Sequence, residues 1–290
     1  VAELGAAQQL GIRHQTLEVI GHGLGGNRPF HTLDDQVGSF APAHVAQHHL
    51  GREDDGARVD LVLTSVLRSG AVGRFEHGDG VALMTLGAEV HGAVEACKVL
   101  SSHGSKISIG HSLPTRGEFE NCVSTGATLV THLFNAMSGV HHREPGLATW
   151  VLTNDNVFAS LIADGVHVSA DVIELSFSAK PNKMVLVTDA VAWRAGAAGK
   201  IRISLRDGAP RLENGTLAGS AVTMPQAIKV CVEQAHVALP QALQAASSNP
   251  AKVMGLADRG VLQVGYLADI VGLTNDLSVG AVWVSGQRVR

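Results

Sequence analysis

KISIGHS, residues 106–112, is a short apolar run that ends in glycine and histidine, and what surrounds it decides the fold. Four further runs accompany it: VALMTL (81–86), ATLVTHLF (127–134), VFASLIADG (157–165) and KMVLVTDA (183–190). Each has the length and near-continuous apolar character of a strand buried on both faces. The segments between them are helix-length. Val90, Val94, Cys97 and Leu100 recur at helical spacing before Gly104, and Pro114 stands near the start of the next helical stretch. Short apolar strands alternating with helices predict a parallel sheet covered on both faces, an α/β fold.

Polar residues recur where these strands end. His111 ends the second, His132 the third, Asp164 and His167 follow the fourth, and Asp189 ends the fifth. In a parallel β/α barrel the C-terminal strand ends converge on one mouth, where catalysis takes place. One histidine there is more often a satisfied core residue than a ligand. Two histidines and an aspartate at equivalent positions of separate strands point instead to a metal site. Imidazole nitrogen with carboxylate oxygen suits Zn²⁺ or a similar divalent first-row ion, which lowers the pKa of a bound water and polarises a carbonyl. Asp189 is then the expected general base, and His167 the group that steadies an oxyanion or orients the substrate.

Bulk properties narrow the class. A hydrophobic fraction of 45% with 17% charged residues predicts a compact enzyme-like domain, and a net charge of −4 gives no general attraction to nucleic acid or acidic membranes. No apolar run reaches the roughly 18 residues that span a bilayer. The first residues show no basic and then apolar leader, and Cys97, Cys122 and Cys231 are an odd set without a C-x-x-C pair. Reduced, mostly buried thiols and a cytoplasmic location are expected, and a cysteine-rich zinc site is excluded.

Composition changes near residue 80. Lysine is absent from residues 1–97 and occurs seven times afterwards, while eight of the 15 histidines fall within residues 1–92. In the first part TLEVI (16–20) has strand character, and Gly21, Gly23 and Gly26 after it formally match G-x-G-x-x-G. Asn27-Arg28-Pro29 then opens no helix to receive a pyrophosphate, so a plain glycine loop is the better reading. His44, His48 and His49 lie at helical spacing, which predicts a solvated helix face before it predicts a metal pair. Beyond the fifth strand, IRISL (201–205) and residues 213–224 predict a β-excursion and a loop opening a helix. Residues 221–236 and 239–247 are then helical, with Pro240 in a first turn.

From about Thr85 to Arg290 the chain resembles the N-acetylglucosamine-6-phosphate deacetylases of the metal-dependent amidohydrolase superfamily. TLGAE (85–89) is similar to the family's TLAPE and SIGHS (108–112) to its GHS strand. THLFNAM (131–137), HHREPG (141–146), IADGVH (162–167) and VTDA (187–190) match its later segments in order. The resemblance implies a TIM-type (β/α)8 barrel with a small β-subdomain, a divalent metal, a sugar-phosphate substrate and a homodimer. It makes His111 and His132 metal ligands and Asp189 the catalytic acid/base. His167, Asn135 and Ala136 become substrate contacts, and Leu217, Ala218 and Gly219 belong to a loop that closes on the sugar. Arg143 resembles the family's phosphate-binding arginine, a role suited to the planar guanidinium fork. GVLQVGYLADIV (260–271) resembles a general amidohydrolase signature and predicts strands of the β-subdomain.

The chain departs from the family before residue 81. The HLEGP segment, whose glutamate binds the metal, is not found; HLGRE (49–53) offers Glu53 in the wrong order. The expected organisation is therefore residues 1–80 unassigned, a barrel portion incomplete at its N-terminal strands over 81–258, and C-terminal β-subdomain strands over 259–290. Deacetylation of N-acetylglucosamine 6-phosphate is the activity implied. The alternatives are an amidohydrolase acting on another N-acyl or cyclic amide, and an inactive sugar-phosphate-binding remnant.

Overall fold

The computed structural model describes residues 47–50, 59–62, 65–68, 81–191, 197–198 and 201–290. TLEVI, the glycine loop at 21–26, His44 and Glu53 lie outside them. Two short strands, β1 (Gln47–Leu50) and β2 (Val59–Val62), pair antiparallel, with His48 opposite Leu61 and His49 opposite Asp60. This corrects the helical reading of the histidine cluster. The i, i+4 spacing is a local signal, and pairing with Val59-Asp60-Leu61-Val62 overrides it.

The main sheet runs β3 (Ser65–Arg68), β4 (Val81–Leu86), β5 (Lys106–Ile109), β6 (Ala127–Val130), β7 (Phe158–Ile162) and β8 (Met184–Val187). From β4 to β8 all neighbours are parallel, and these are the five strands that the sequence predicts. β3 pairs antiparallel with β4 and departs from that all-parallel pattern. The crossovers carry α1 (Ala93–Ser102), α2 (Arg116–Ser124), α3 (Leu147–Leu152) and α4 (Ala170–Ala179). Thr115 opens α2 with a capping box: its hydroxyl accepts from the Glu118 N–H at 3.3 Å, and its own N–H donates to the Glu118 carboxylate at 2.7 Å.

Strand alternation divides the core. Met84, Leu86, Ile107, Ile109, Leu161 and Leu186 pack with the helices, where Cys97, Phe119, Cys122 and Ile173 are also buried. Leu83, Leu129, Ile162, Val185 and Val187 form a smaller apolar cluster with Val253. All three cysteines are buried and free, as expected of reduced thiols. Burial pushes the Cys231 thiol up to about 12, far from a reactive thiolate.

A hydroxyl cluster is buried between the strands. Ser108 Oγ lies 2.7 Å from Thr131 Oγ1, which lies 3.3 Å from Thr85 Oγ1. Gly110 fits between these threonines because it has no side chain; an added Cβ would stand 2.8 Å from Thr131 Cβ and 3.0 Å from Thr85 Cγ2. Gly110→Ala is accordingly expected to cost about 1–3 kcal/mol by overpacking. Urea unfolding of the metal-free chain checks this, and an unchanged midpoint would show that the strands part freely here.

After β8 come β9 (Ala197–Ala198), β10 (Ile201–Arg206) and β11 (Ala209–Leu212), an antiparallel sheet that realises the expected β-excursion. The helical stretch that follows is α5 (Met224–Lys229) running into a π-helical turn at Val230–Gln234. Then come α6 (Leu239–Ala246), with Pro240 in its first turn, and α7 (Ser248–Met254). A small antiparallel sheet of β12 (Ile270–Leu273), β13 (Val279–Val284) and β14 (Gln287–Arg288) ends the chain. Only the last part of the 260–271 signature is strand, because glycines at 260 and 265 with positive φ turn the chain first. Among the described residues no helix is long and apolar enough to cross a membrane.

Candidate metal and catalytic site

The site is built from residues two positions beyond the C-terminal ends of β5, β6 and β8, together with the turn after β7. At three of these ends the backbone leaves extended geometry for positive φ: 49° at His111, 30° at His132 and 48° at Asp189. A non-glycine residue there is uncommon and persists when surrounding structure enforces it. At His132 the enforcement is visible. Its N–H donates to Ser160 Oγ at 2.7 Å, and the next N–H, of Leu133, donates to Ser160 O at 2.8 Å.

His111 and His132 are brought together. Their Nε2 atoms are 2.9 Å apart and their rings meet edge to face, with centroids 4.6 Å apart. The Nδ1 of His132 lies 3.1 Å from the carbonyl oxygen of Asn135. A carbonyl only accepts, so the His132 proton sits on Nδ1 and Nε2 carries the lone pair. Burial, and secondarily the neighbouring His111, push the His132 pKa down to about 3, so the ring is neutral at ordinary pH. A neutral imidazole whose other nitrogen is tied to a carbonyl is the form that binds a metal, so His132 Nε2, with His111 Nε2 beside it, fits a divalent ion.

The donor set stops there: among the described residues no group of three or more His, Cys, Asp and Glu side chains is gathered to hold a metal ion. Asp189 is buried, at 8% exposure, but does not complete such a group.

His167 is close enough to His132 to oppose its protonation. Its Nδ1–H donates to Asp164 Oδ2 at 2.7 Å, while Asp164 Oδ1 accepts the N–H groups of Val166 and His167 at 2.9 and 2.8 Å. The two side chains are only 5% and 6% exposed. Burial raises the Asp164 carboxyl, but the His167 imidazole and the two N–H groups outweigh it and bring the pKa below its ordinary value. Asp164 is thus an anion that holds the Nδ1 edge of the His167 ring and leaves Nε2 as its working atom. The sequence marks Asp164 as a strand-end residue; the three-residue spacing to His167 is the signal that pairs them.

The loop at 217–220 is stitched beside Asp189. The Ser220 N–H donates to Asp189 O at 2.8 Å, and Ser220 Oγ donates to Thr188 O. Gly219 has φ 75°, and a Cβ there would lie 2.5 Å from Val191 Cγ1 and 2.7 Å from Asp189 O, so only glycine lets the loop come so close. Leu217 and Ala218 are half-buried, and the Ala218 N–H donates to Pro210 O at 2.9 Å. Ala136, with φ 51°, follows Asn135 at the His132 turn. Arg143 is exposed, in a segment where His141 Nδ1 accepts the N–H groups of Arg143 and Glu144.

Comparison with known proteins bears on this arrangement. The N-acetylglucosamine-6-phosphate deacetylase of Caenorhabditis elegans is 31% identical over 278 residues, covering 90% of this chain and 66% of that protein. The crystal structure of the Pasteurella multocida enzyme of the same name superposes with a TM-score of 0.68 at 32% identity, over 72% of this chain and 57% of that one. A Mycobacterium smegmatis deacetylase solved in complex with N-acetyl-D-glucosamine-6-phosphate gives 0.67 at 32% identity, over 72% of this chain and 58% of that one. The chain spans 64–66% of the length of the curated relatives it matches over the longest stretches. The family model described as "Amidohydrolase family" matches residues 76–289. With that match running through every strand that carries a site residue, the chain belongs to the amidohydrolase family.

Proposed function

We propose that this chain hydrolyses the acetamide of N-acetylglucosamine 6-phosphate, giving glucosamine 6-phosphate and acetate. The observation that carries the proposal is the convergence of His111 and His132 Nε2 beside an Asp164-anchored His167, in a chain about one-third identical to named deacetylases. His111 and His132 would hold a divalent ion of the zinc type, which when bound supplies Lewis acidity and lowers the pKa of water. Asp189 takes the proton of the attacking water and returns it to the leaving amine. His167, its Nδ1–H committed to Asp164, is held so as to steady the developing oxyanion or orient the substrate. Asn135, Ala136 and the 217–219 loop contact the sugar, and Arg143 binds the phosphate, within a cytoplasmic homodimer whose neighbouring subunit Arg143 reaches.

Acetate release from N-acetylglucosamine 6-phosphate is the test, run with added zinc and with chelator. Zinc-dependent release supports the proposal. A second reading, a non-catalytic sugar-phosphate-binding relative, is favoured by the two-histidine donor set among the described residues. It predicts binding of the sugar phosphate with no acetate released under either condition.

Arg143 separates this substrate from unphosphorylated amides. A charge-assisted contact contributes about 1.5–3 kcal/mol, so Arg143→Met is expected to raise KM for the phosphorylated sugar about 10–100-fold with little change in kcat. Steady-state kinetics on N-acetylglucosamine with and without its phosphate check this. Equal turnover of the two by the unsubstituted chain would mean an amidohydrolase of different specificity.

A further inference from the structure

The turns that carry the two histidines are tied together by residues to which the proposed chemistry gives no role. Glu89 lies three residues beyond the end of β4, and Ser112 follows His111 directly. The Ser112 hydroxyl donates to Glu89 Oε2, and the Leu113 N–H donates to Glu89 Oε1 at 2.9 Å. Both carboxylate oxygens are thus engaged by the two residues after His111. Ser112 Oγ also accepts the Ala88 N–H at 3.0 Å, so the serine is held from both sides of the TLGAE turn.

The same serine reaches the other histidine. Its N–H donates to Ala136 O at 3.1 Å, and Ser112 and Met137 form an isolated parallel bridge. Ala136 adjoins Asn135, whose carbonyl receives the His132 Nδ1–H. A continuous path therefore runs from the Glu89 carboxylate through fully buried Ser112 to the turn that orients His132. That path crosses a run of unfavourable backbone: His111, His132, Phe134 and Ala136 all have φ between 30° and 74°. Such conformations persist where several contacts over-determine them, and Ser112 contributes to both turns at once.

We infer that Glu89 and Ser112 form a clasp that sets the separation and aim of the His111 and His132 imidazoles, acting as positioning residues for the metal pair. The inference rests on the metal reading of that pair. Without the clasp the backbone at His111 has fewer contacts enforcing its left-handed geometry, and the two nitrogens lose their common target. Outer contacts of this kind typically change metal affinity 10–100-fold when removed.

Cobalt(II) is the probe, because its visible spectrum reports ligand geometry independently of turnover. Ser112→Ala and Glu89→Ala are expected to weaken cobalt binding to the full chain about 10–100-fold and to alter the spectrum of the bound ion. Glu89→Gln, which keeps one oxygen acceptor, should fall between Glu89→Ala and the unsubstituted chain. Thermal melting of the metal-free variants identifies any that fail to fold, and a merely structural role would lower the midpoint while leaving the affinity and spectrum of folded protein unchanged. Unchanged affinity and spectrum in folded Glu89→Gln and Ser112→Ala would overturn the clasp alone. No cobalt bound by the unsubstituted chain would overturn the clasp and the metal reading together.

Discussion

Asp189→Asn is expected to lower kcat for acetate release by about 10²–10⁴-fold, the span typical of a lost general acid/base, while sugar-phosphate affinity changes little. The substitution separates chemistry from architecture. Asparagine has nearly the shape of aspartate and tolerates left-handed backbone, so φ 48° at residue 189 remains accessible. The bond from the Ser220 N–H to Asp189 O involves backbone alone, so the 217–220 loop keeps its anchor. What disappears is the ability to accept a proton from water and return it to the amine. Steady-state kinetics with calorimetric binding of the sugar phosphate provide the measurement. A parallel loss of kcat and affinity would show that Asp189 shapes the sugar site rather than moving the proton.

Asp189 also illustrates what a sequence makes legible. The five parallel strands are readable because each is a near-continuous apolar run, a signal that needs no partner to interpret it. A polar residue at the end of such a run stands out, and His111, His132 and Asp189 are visible for that reason. The supporting residues are harder to see because their chemistry depends on neighbours distant in sequence. Ser160 meets the His132 N–H across 28 residues, and Glu89 meets Ser112 across 23. Serine in a strand and glutamate after one carry no local mark of those roles. The same limitation explains β1 and β3: the spacing of His44, His48 and His49 is local information, whereas antiparallel pairing with Val59–Val62, or of Ser65–Arg68 with β4, is not.

The Asp164–His167 pair lies between these extremes. Both residues sit in one six-residue motif, so their proximity is a local matter, yet the division of labour emerges only from the bonds. Asp164 spends one oxygen on two backbone N–H groups and the other on the imidazole. A carboxylate so occupied is poorly suited to abstract a proton and well suited to hold a ring still. That occupancy supports giving Asp164 the positioning of the His167 ring and not the proton transfer.

His132→Asn and His111→Asn are each expected to weaken zinc binding on the order of 10²–10³-fold. The apparent ~10–16 kcal/mol of a four-ligand zinc site, shared evenly, gives ~2.5–4 kcal/mol per ligand, and 1.4 kcal/mol is a factor of ten. Asparagine again accommodates positive φ at both positions, so any loss is assignable to the nitrogen rather than to the turn. Zinc titration monitored with a competing chelator gives the affinities, and acetate release at limiting zinc should fall in proportion. The competing explanation is that two imidazoles 2.9 Å apart simply share one hydrogen bond as part of the core. On that view either substitution lowers stability and leaves zinc affinity untouched. The metal reading requires the reverse weighting, because the Asn135 carbonyl holds the His132 proton on Nδ1 and leaves on Nε2 the lone pair that a cation would use.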